Sequence, residues 1–283
     1  MNDNLFIALQ RVAPQHLISR VIGRLGACEN HFIKDTFIRR FADKYEVNMA
    51  EAEQEDLNAY PSFNAFFTRA LKAGARPIDP AANALVSPAD GVLSQIGAIS
   101  EGRIIQAKSQ WFSAAELLAS TEDAELFAGG AFATVYLSPR DYHRVHMPYG
   151  GRLKKMTYVP GRLFSVNEST ARHVPRLFAR NERVVCLFET EFGPLALVLV
   201  GAMIVASIET VWAGAVPPVA RRVRSHEYGG AAPELAKGEE MGRFFLGSTA
   251  IVLCPKGTLS WQKEYKAGAH VMLGERLGTV SDI

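Results

Sequence analysis

LALVLVGAMIVASI, residues 195–208, is the strongest candidate for a membrane span in this chain, and its reading decides the fold class. A helix needs about 18–20 apolar residues to cross a bilayer. This run has 14, is broken by Gly201 and is bounded by Pro194 and Glu209. Its Val, Ile and Leu content predicts two buried strands, 195–200 and 203–208, joined at Gly201-Ala202. Runs of the same kind recur at 92–99, 131–137, 184–189 and 250–254, punctuated by Pro, Gly, Asn and Asp. One helix is predicted at 113–119. Strands alternating with long helices, the rhythm of a doubly wound sheet, are absent from the pattern. From Ala84 onward the sequence therefore predicts short, mostly antiparallel strands. The polar stretch 219–238 reads as a mobile loop. It leads through a turn at Lys237-Gly238 into a hairpin over Gly242–Cys254.

Upstream the period changes. Leu5, Leu9, Val12, Leu17, Ile18, Val21, Ile22 and Leu25 recur at mostly three- or four-residue spacing around Pro14. That spacing predicts an amphipathic helical region restarted near the proline. Arg11, Arg20 and Arg24 lie beside it, and Lys34, Arg39, Arg40 and Lys44 continue the charge through a second helical pattern. A basic amphipathic surface of this kind suits anionic lipid, or else the wet side of helices packed on their own domain. PSFNAFFTRAL, 61–71, predicts a helix from Ser62 with Phe63, Phe66 and Phe67 on one face, as core or as an acyl-chain groove. The expected fold class is α+β, an N-terminal helical layer over 1–75 packed on a β-rich catalytic region over 76–283.

Composition narrows the function. Hydrophobic residues make up 48% and charged residues 21% of 283 residues, with a net charge of +2 and a mean hydropathy of +0.02. That is an ordinary folded chain with no basic stripe for nucleic acid. Cys28, Cys186 and Cys254 form no CxxC pair, which argues against a disulfide framework or structural zinc. The first residues do not read as a signal peptide.

Near the C-terminus, MGRFFLGSTAIVLCP (241–255) places Gly247-Ser248 between two apolar runs. Gly247 admits unusual backbone angles and close approach to its carbonyl. The Ser248 hydroxyl stands beside that carbonyl, as an N-to-O acyl shift requires. With a base to take its proton, Oγ can attack and convert the peptide bond to an ester. Elimination then breaks the chain and leaves dehydroalanine, which hydrolyses to a pyruvoyl group. Gly-Ser-Thr is also ordinary turn material. In SPRDYHRVHMP (138–148), Asp141, His143 and His146 share one short segment. Imidazoles suit proton transfer near neutrality, and no third ligand is in place for a metal. Asp90 in SPADG (87–91) reads as a turn or as a carboxylate that orients a histidine. Glu209 reads as one half of a structural salt bridge.

These segments, with VPGRLFSVN (159–167), LFARNERV (177–184) and SIETVWAG (207–214), resemble the bacterial-type pyruvoyl-dependent phosphatidylserine decarboxylases over effectively the whole chain. The resemblance implies conversion of phosphatidylserine to phosphatidylethanolamine and carbon dioxide through a Schiff base. The cofactor is a pyruvoyl group made from Ser248 by self-cleavage after Gly247, with neither metal nor pyridoxal phosphate. It gives Asp90 and His146 to self-cleavage and His143 to decarboxylation, with Asp141 assisting. It implies a large and a small chain from one precursor, a homodimer, and peripheral attachment to an anionic phospholipid surface on the cytoplasmic side of the cell membrane. No nucleic-acid partner is expected. Arg140, Arg144, Lys155 and the 162–167 segment are candidate head-group contacts. Two other readings remain open at this point. Asp90, His146 and Ser248 would also compose a serine hydrolase triad, although a Gly-x-Ser-x-Gly elbow is missing. A non-enzymatic, membrane-associated β-rich binding module would explain the strands and leave the histidines without a role.

Overall fold

Pro14 divides the N-terminal pattern where the sequence predicts it, because a prolyl ring clashes with the preceding turn and lacks an amide proton. The computed structural model describes residues 3–203, 208–216, 222–245 and 248–281, apart from the side chains of 3–6 and 11. Helix α1 (Asp3–Val12) ends before Pro14 and α2 (Gln15–Gly26) restarts after it. Helix α3 (His31–Tyr45) is capped by Asn30, whose side chain accepts from the Phe32 amide at 3.1 Å. The short α4 (Phe63–Phe67) begins at Ser62, whose Oγ accepts from the Ala65 amide. Each cap satisfies an amide left orphaned by the first turn.

Phe63, Phe66 and Phe67 are fully buried and pack with Phe37, Phe41 and Ile38 of α3. The Phe37 and Phe63 rings stack at 4.2 Å. The acyl-groove reading of this triplet is therefore corrected: these rings close the core of the helical layer, where they are removed from water and from lipid alike.

The remaining chain is mostly antiparallel sheet. In the largest sheet, Gly151–Val159, Arg183–Thr190, Gly193–Gly201, Ser248–Cys254, Ala131–Leu137 and Gly91–Ala98 lie side by side in that order. Both faces of its centre are covered. Leu195, Leu197, Leu199, Ala250 and Val252 point into one apolar cluster, and Ala196, Val198, Val200, Ile251 and Leu253 into another. A strand with period two and two buried faces must read as a continuous apolar run, which is how 195–200 reads. Of the predicted 203–208 strand, 204–207 lie outside the described residues. The next strand is Ile208–Thr210, and it belongs to a second sheet with Gly214–Val216, Glu240–Phe244 and Arg144–His146.

Two expectations fail for the same reason. Glu240–Phe244 and Ser248–Cys254 form no hairpin, because the first pairs with Ile208–Thr210 and Arg144–His146 and the second with Ala131–Leu137 and Gly193–Gly201. Phe244 thus ends a strand of one sheet and Ser248 begins a strand of the other. Within 219–238, Arg224–Glu227 and Glu234–Leu235 are strands on Gly151–Val159. Main-chain pairing to an open strand edge orders a polar segment that has no apolar pattern of its own. Gly91 is required where it stands, since a Cβ there would lie 2.2 Å from the Tyr136 carbonyl oxygen.

Candidate active site

Ser248 is the first residue of its strand, opposite Leu137 on one side and Gly201 on the other. Alternation puts its side chain on the face of Ala250, Val252 and Cys254. That face packs against Val145, Met241 and Phe244 of the second sheet, which is also the sheet that carries His146. Ser248 is fully buried, and its Oγ has no hydrogen-bond partner among the described residues. Buried hydroxyls are usually paired, and those of Thr134 and Thr249 are unpaired among the described residues as well. Gly247, the other half of the predicted scissile bond, lies outside the described residues.

His143 is fully buried too. Its Nδ1 lies 2.8 Å from the Asp141 carbonyl oxygen, a bond that needs the proton on Nδ1. The Nε2 lone pair is then free, and Nε2 is without a partner among the described residues. Burial among apolar groups disfavours the imidazolium, with the nearby Arg69 cation adding to it, and pushes the His143 pKa down to about 3. The Phe244 amide donates to the His143 carbonyl at 3.0 Å, tying this histidine to the strand that leads towards Ser248. Among the described residues, the two unpaired site atoms that carry the predicted chemistry are His143 Nε2 and Ser248 Oγ.

His146 is placed differently. Its Nδ1 is 2.9 Å from the Gly238 carbonyl oxygen and its Nε2 is 3.1 Å from the Tyr142 hydroxyl. Burial lowers its pKa, opposed by the Gly238 hydrogen bond. Its amide donates to the Pro88 carbonyl at 2.8 Å, so the loop that carries Asp90 is its main-chain neighbour. The Asp90 side chain nevertheless turns to Arg76. Both carboxylate oxygens accept from Arg76 Nε at 3.0 Å, and Oδ2 also accepts from Nη2 at 2.6 Å. The Leu273 amide donates to Oδ1 at 2.8 Å. The structure thus brings Asp90 and His146 into one neighbourhood and gives each its own partners, with no hydrogen bond between them. Asp141 accepts from the Ser138 amide and shapes the loop.

Arg76 and Tyr142 are neighbours of the candidate residues that the sequence reading missed, while Gly238 was read only as part of a turn and Phe67 only as core or acyl groove. Tyr142 lies inside the histidine segment, but nothing local distinguishes it. Arg76 is 14 residues from Asp90 and had no signal at all. Of the suggested phosphate contacts, Arg144 pairs with Glu240 at 2.8 Å and Lys155 with Asp123 at 2.8 Å, while Arg140 is more than half exposed. Glu209 faces Arg243 at 3.6 Å, a structural ion pair as expected. Among the described residues, no group of three or more His, Cys, Asp or Glu is arranged to hold a metal ion. No described helix is long and apolar enough to cross a membrane.

The low pKa of His143 has a consequence for folding. The unfolded state binds this proton near pH 6.5 and the folded state only near pH 3. Stability from this group is whole above pH 6.5 and is lost as pH falls towards 3. In an uncleaved Ser248→Ala background, His143→Gln should reduce the steepness of acid destabilisation by about one proton. Denaturant unfolding at a series of pH values between 6.5 and 4 checks it.

A family model described as phosphatidylserine decarboxylase matches residues 63–279, and one described as PSD matches 5–46. The chain is 58% identical over 282 residues to the phosphatidylserine decarboxylase proenzyme of Ectopseudomonas mendocina, covering 98% of this chain and 99% of that one. It is 57% identical to the proenzyme of that name from Pseudomonas fluorescens Pf-5, over 98% of each chain. To that of Marinobacter nauticus it is 56% identical, over 99% of each. Whole-length identity at this level, with a family model over most of the chain, leaves one conclusion: the chain belongs to the phosphatidylserine decarboxylase family.

Proposed function

We propose that this chain is a proenzyme that cuts itself between Gly247 and Ser248 and then decarboxylates phosphatidylserine to phosphatidylethanolamine. The observation that carries the reading is Ser248 itself, buried at the head of its strand with Oγ unpaired among the described residues. In self-cleavage the Ser248 hydroxyl gives its proton to an imidazole, and Oγ bonds to the Gly247 carbonyl carbon as the C–N bond breaks. Loss of the Ser248 α-proton then expels the Gly247 carboxylate from Cβ. Tautomerisation and hydrolysis of the resulting enamine release ammonia and leave a pyruvoyl group at position 248. The dry surroundings of Ser248 fit such a group, because they keep water from competing during turnover. A pyruvoyl carbonyl supplies an electron sink for decarboxylation next to a primary amine.

In the reading carried from the family, His146 is the base for self-cleavage, with Asp90 as its support, and His143 serves decarboxylation. The unpaired Nε2 of His143 favours a second assignment, in which His143 takes the Ser248 proton. The measurement for the proposal as a whole is the intact mass of purified protein. It should show a chain ending at Gly247 and a chain of residues 248–283 blocked at its N-terminus. An active sample consisting only of the uncut 283-residue chain would refute self-cleavage.

The lipid is received by the helical layer. A groove of about 590 Å³ lies between α2, α3 and the sheet, bounded by Leu25, Phe37, Phe41, Tyr136 and Val166, with exposed Arg40 and Lys44 beside it. Its apolar lining suits acyl chains and its two cations suit a phosphodiester. Leu9, Val12, Leu17 and Val21 are about half exposed or more, and so are Phe32 and Leu25. Ile18 and Ile22 are half-buried, and the side chains of Leu5 and Arg11 lie outside the described residues. An exposed apolar row of this size beside Arg20 and Arg24 is a lipid-binding surface. Leu17→Glu with Val21→Glu should weaken sedimentation with anionic vesicles at low salt by roughly tenfold while self-cleavage continues. Unchanged binding by the folded, cleaved variant would move the contact elsewhere.

A further inference from the structure

Three consecutive residues at the end of the helical layer each hold a different residue of the histidine segment. The Phe67 ring packs on the His143 ring with centroids 4.0 Å apart. The Thr68 carbonyl accepts from Arg144 Nε at 2.9 Å. Arg69 Nη2 donates to the Arg140 carbonyl at 3.2 Å. Phe67 is in turn fixed by Phe63 and Phe41, with centroids at 5.8 and 5.7 Å, within the core that joins α3 and α4.

Arg69 is the most unusual of the three. It is 4% exposed, its Nε and Nη1 have no partner among the described residues, and its guanidinium lies over the Phe66 ring at 5.6 Å. Among the described residues it has no direct ion pair, and the Asp90, Glu51 and Asp141 carboxylates act on it only through space, so its burial is costly. Among the described residues, His143 meets the Phe67 ring, the Arg69 cation and the Asp141 main-chain carbonyl. The Asp141 carboxylate is turned to the Ser138 amide and Arg144 to Glu240.

We propose that Phe67-Thr68-Arg69 is a positioning strip through which the lipid-facing helical layer sets the place and orientation of the His143 imidazole. The inference rests on His143 acting in the proposed reaction, in whichever of the two steps it serves. Phe67 fixes the ring plane, Arg69 holds the main chain before it at Arg140, and Thr68 holds the Arg144 side chain after it. Reactions at an oriented group are sensitive to displacements on the order of 1 Å, so loosening the strip slows the His143 step without removing any reacting atom. Docking of the helical layer and competence of the histidine thereby become one structural event.

The test compares Arg69→Met, Arg69→Lys and Phe67→Leu with His143→Ala, scoring both self-cleavage and turnover of the cleaved fraction. His143→Ala identifies the step. Arg69→Met should slow that same step by roughly tenfold to a hundredfold, with KM unchanged if the step is turnover. Arg69→Lys, which can still reach the Arg140 carbonyl, should restore most of the rate. The second readout is the His143 ring proton signal in histidine-labelled protein, which the Phe67 ring current displaces. It should move in Arg69→Met and in Phe67→Leu, and return in Arg69→Lys. If Phe67→Leu fails to fold, the two Arg69 variants decide alone. A folded Arg69→Met with an unmoved His143 signal and an undiminished His143 step overturns the proposal. Normal cleavage and turnover by His143→Ala would instead overturn the role of His143 on which it rests.

Discussion

Ser248→Ala should remain a single 283-residue chain without decarboxylase activity, because the proposed self-cleavage needs a hydroxyl to attack the Gly247 carbonyl and to be eliminated. The expected loss is complete within detection, not graded, since no other side chain supplies an equivalent carbonyl. The substitution itself is mild. Ser248 is fully buried and its Oγ is unpaired among the described residues, so alanine removes no described hydrogen bond and leaves an apolar methyl in an apolar neighbourhood. The uncut variant should therefore be at least as stable to denaturant as the precursor. Intact mass and a thermal unfolding curve on one preparation check both halves. Ser248→Cys should cut slowly, since a thiol can make the first acyl shift. Cleavage at the same bond in Ser248→Ala would remove Ser248 from the chemistry.

The second large effect separates the two histidines. His146→Ala and Asp90→Ala should accumulate uncut precursor if His146 is the base, and His143→Ala should then mature and turn over lipid at least a hundredfold more slowly, the scale of a lost general acid or base. If instead the free Nε2 of His143 receives the Ser248 proton, His143→Ala is the variant that stays uncut. Asp90 needs a control of its own. Its carboxylate holds Arg76 and the Leu273 amide, so Asp90→Ala leaves Arg76 to Glu51 and the Ala75 carbonyl and leaves an amide unpaired, a loss of stability apart from any catalytic role. Asp90→Asn keeps an acceptor for Leu273 while removing the charge. A folded Asp90→Asn that cleaves at the normal rate would assign Asp90 to structure. The separation is read as the precursor fraction over time, followed by the activity of the cleaved fraction.

Some of this molecule was legible in one dimension. Pro14 ended a helix because a prolyl ring cannot continue one, and Ser62 began one because its hydroxyl caps an amide. The apolar runs at 131–137, 184–189 and 195–200 became strands of the largest sheet, because burial on both faces leaves a signature that needs no partner to be recognised. Ser248, His143, His146 and Asp90 were named as candidates through the family resemblance, since by themselves Gly-Ser-Thr and Asp-Gly also read as turn material. Sequence could not say which strands pair. Glu240–Phe244 and Ser248–Cys254 are adjacent in the chain and belong to different sheets, because their edges were satisfied by strands distant in sequence. The partners of the polar groups were equally hidden. Asp90 faces Arg76 and His146 faces Gly238, and no local pattern encodes a hydrogen bond across 92 residues. The Phe63, Phe66 and Phe67 face was read correctly as apolar, but only packing decided that it meets α3 and, through Phe67, the ring of His143. Periodicity and residue chemistry are local properties of the chain. Pairing, burial and the choice of partner are settled by which distant surfaces exclude water together, and those were decided by the tertiary structure alone.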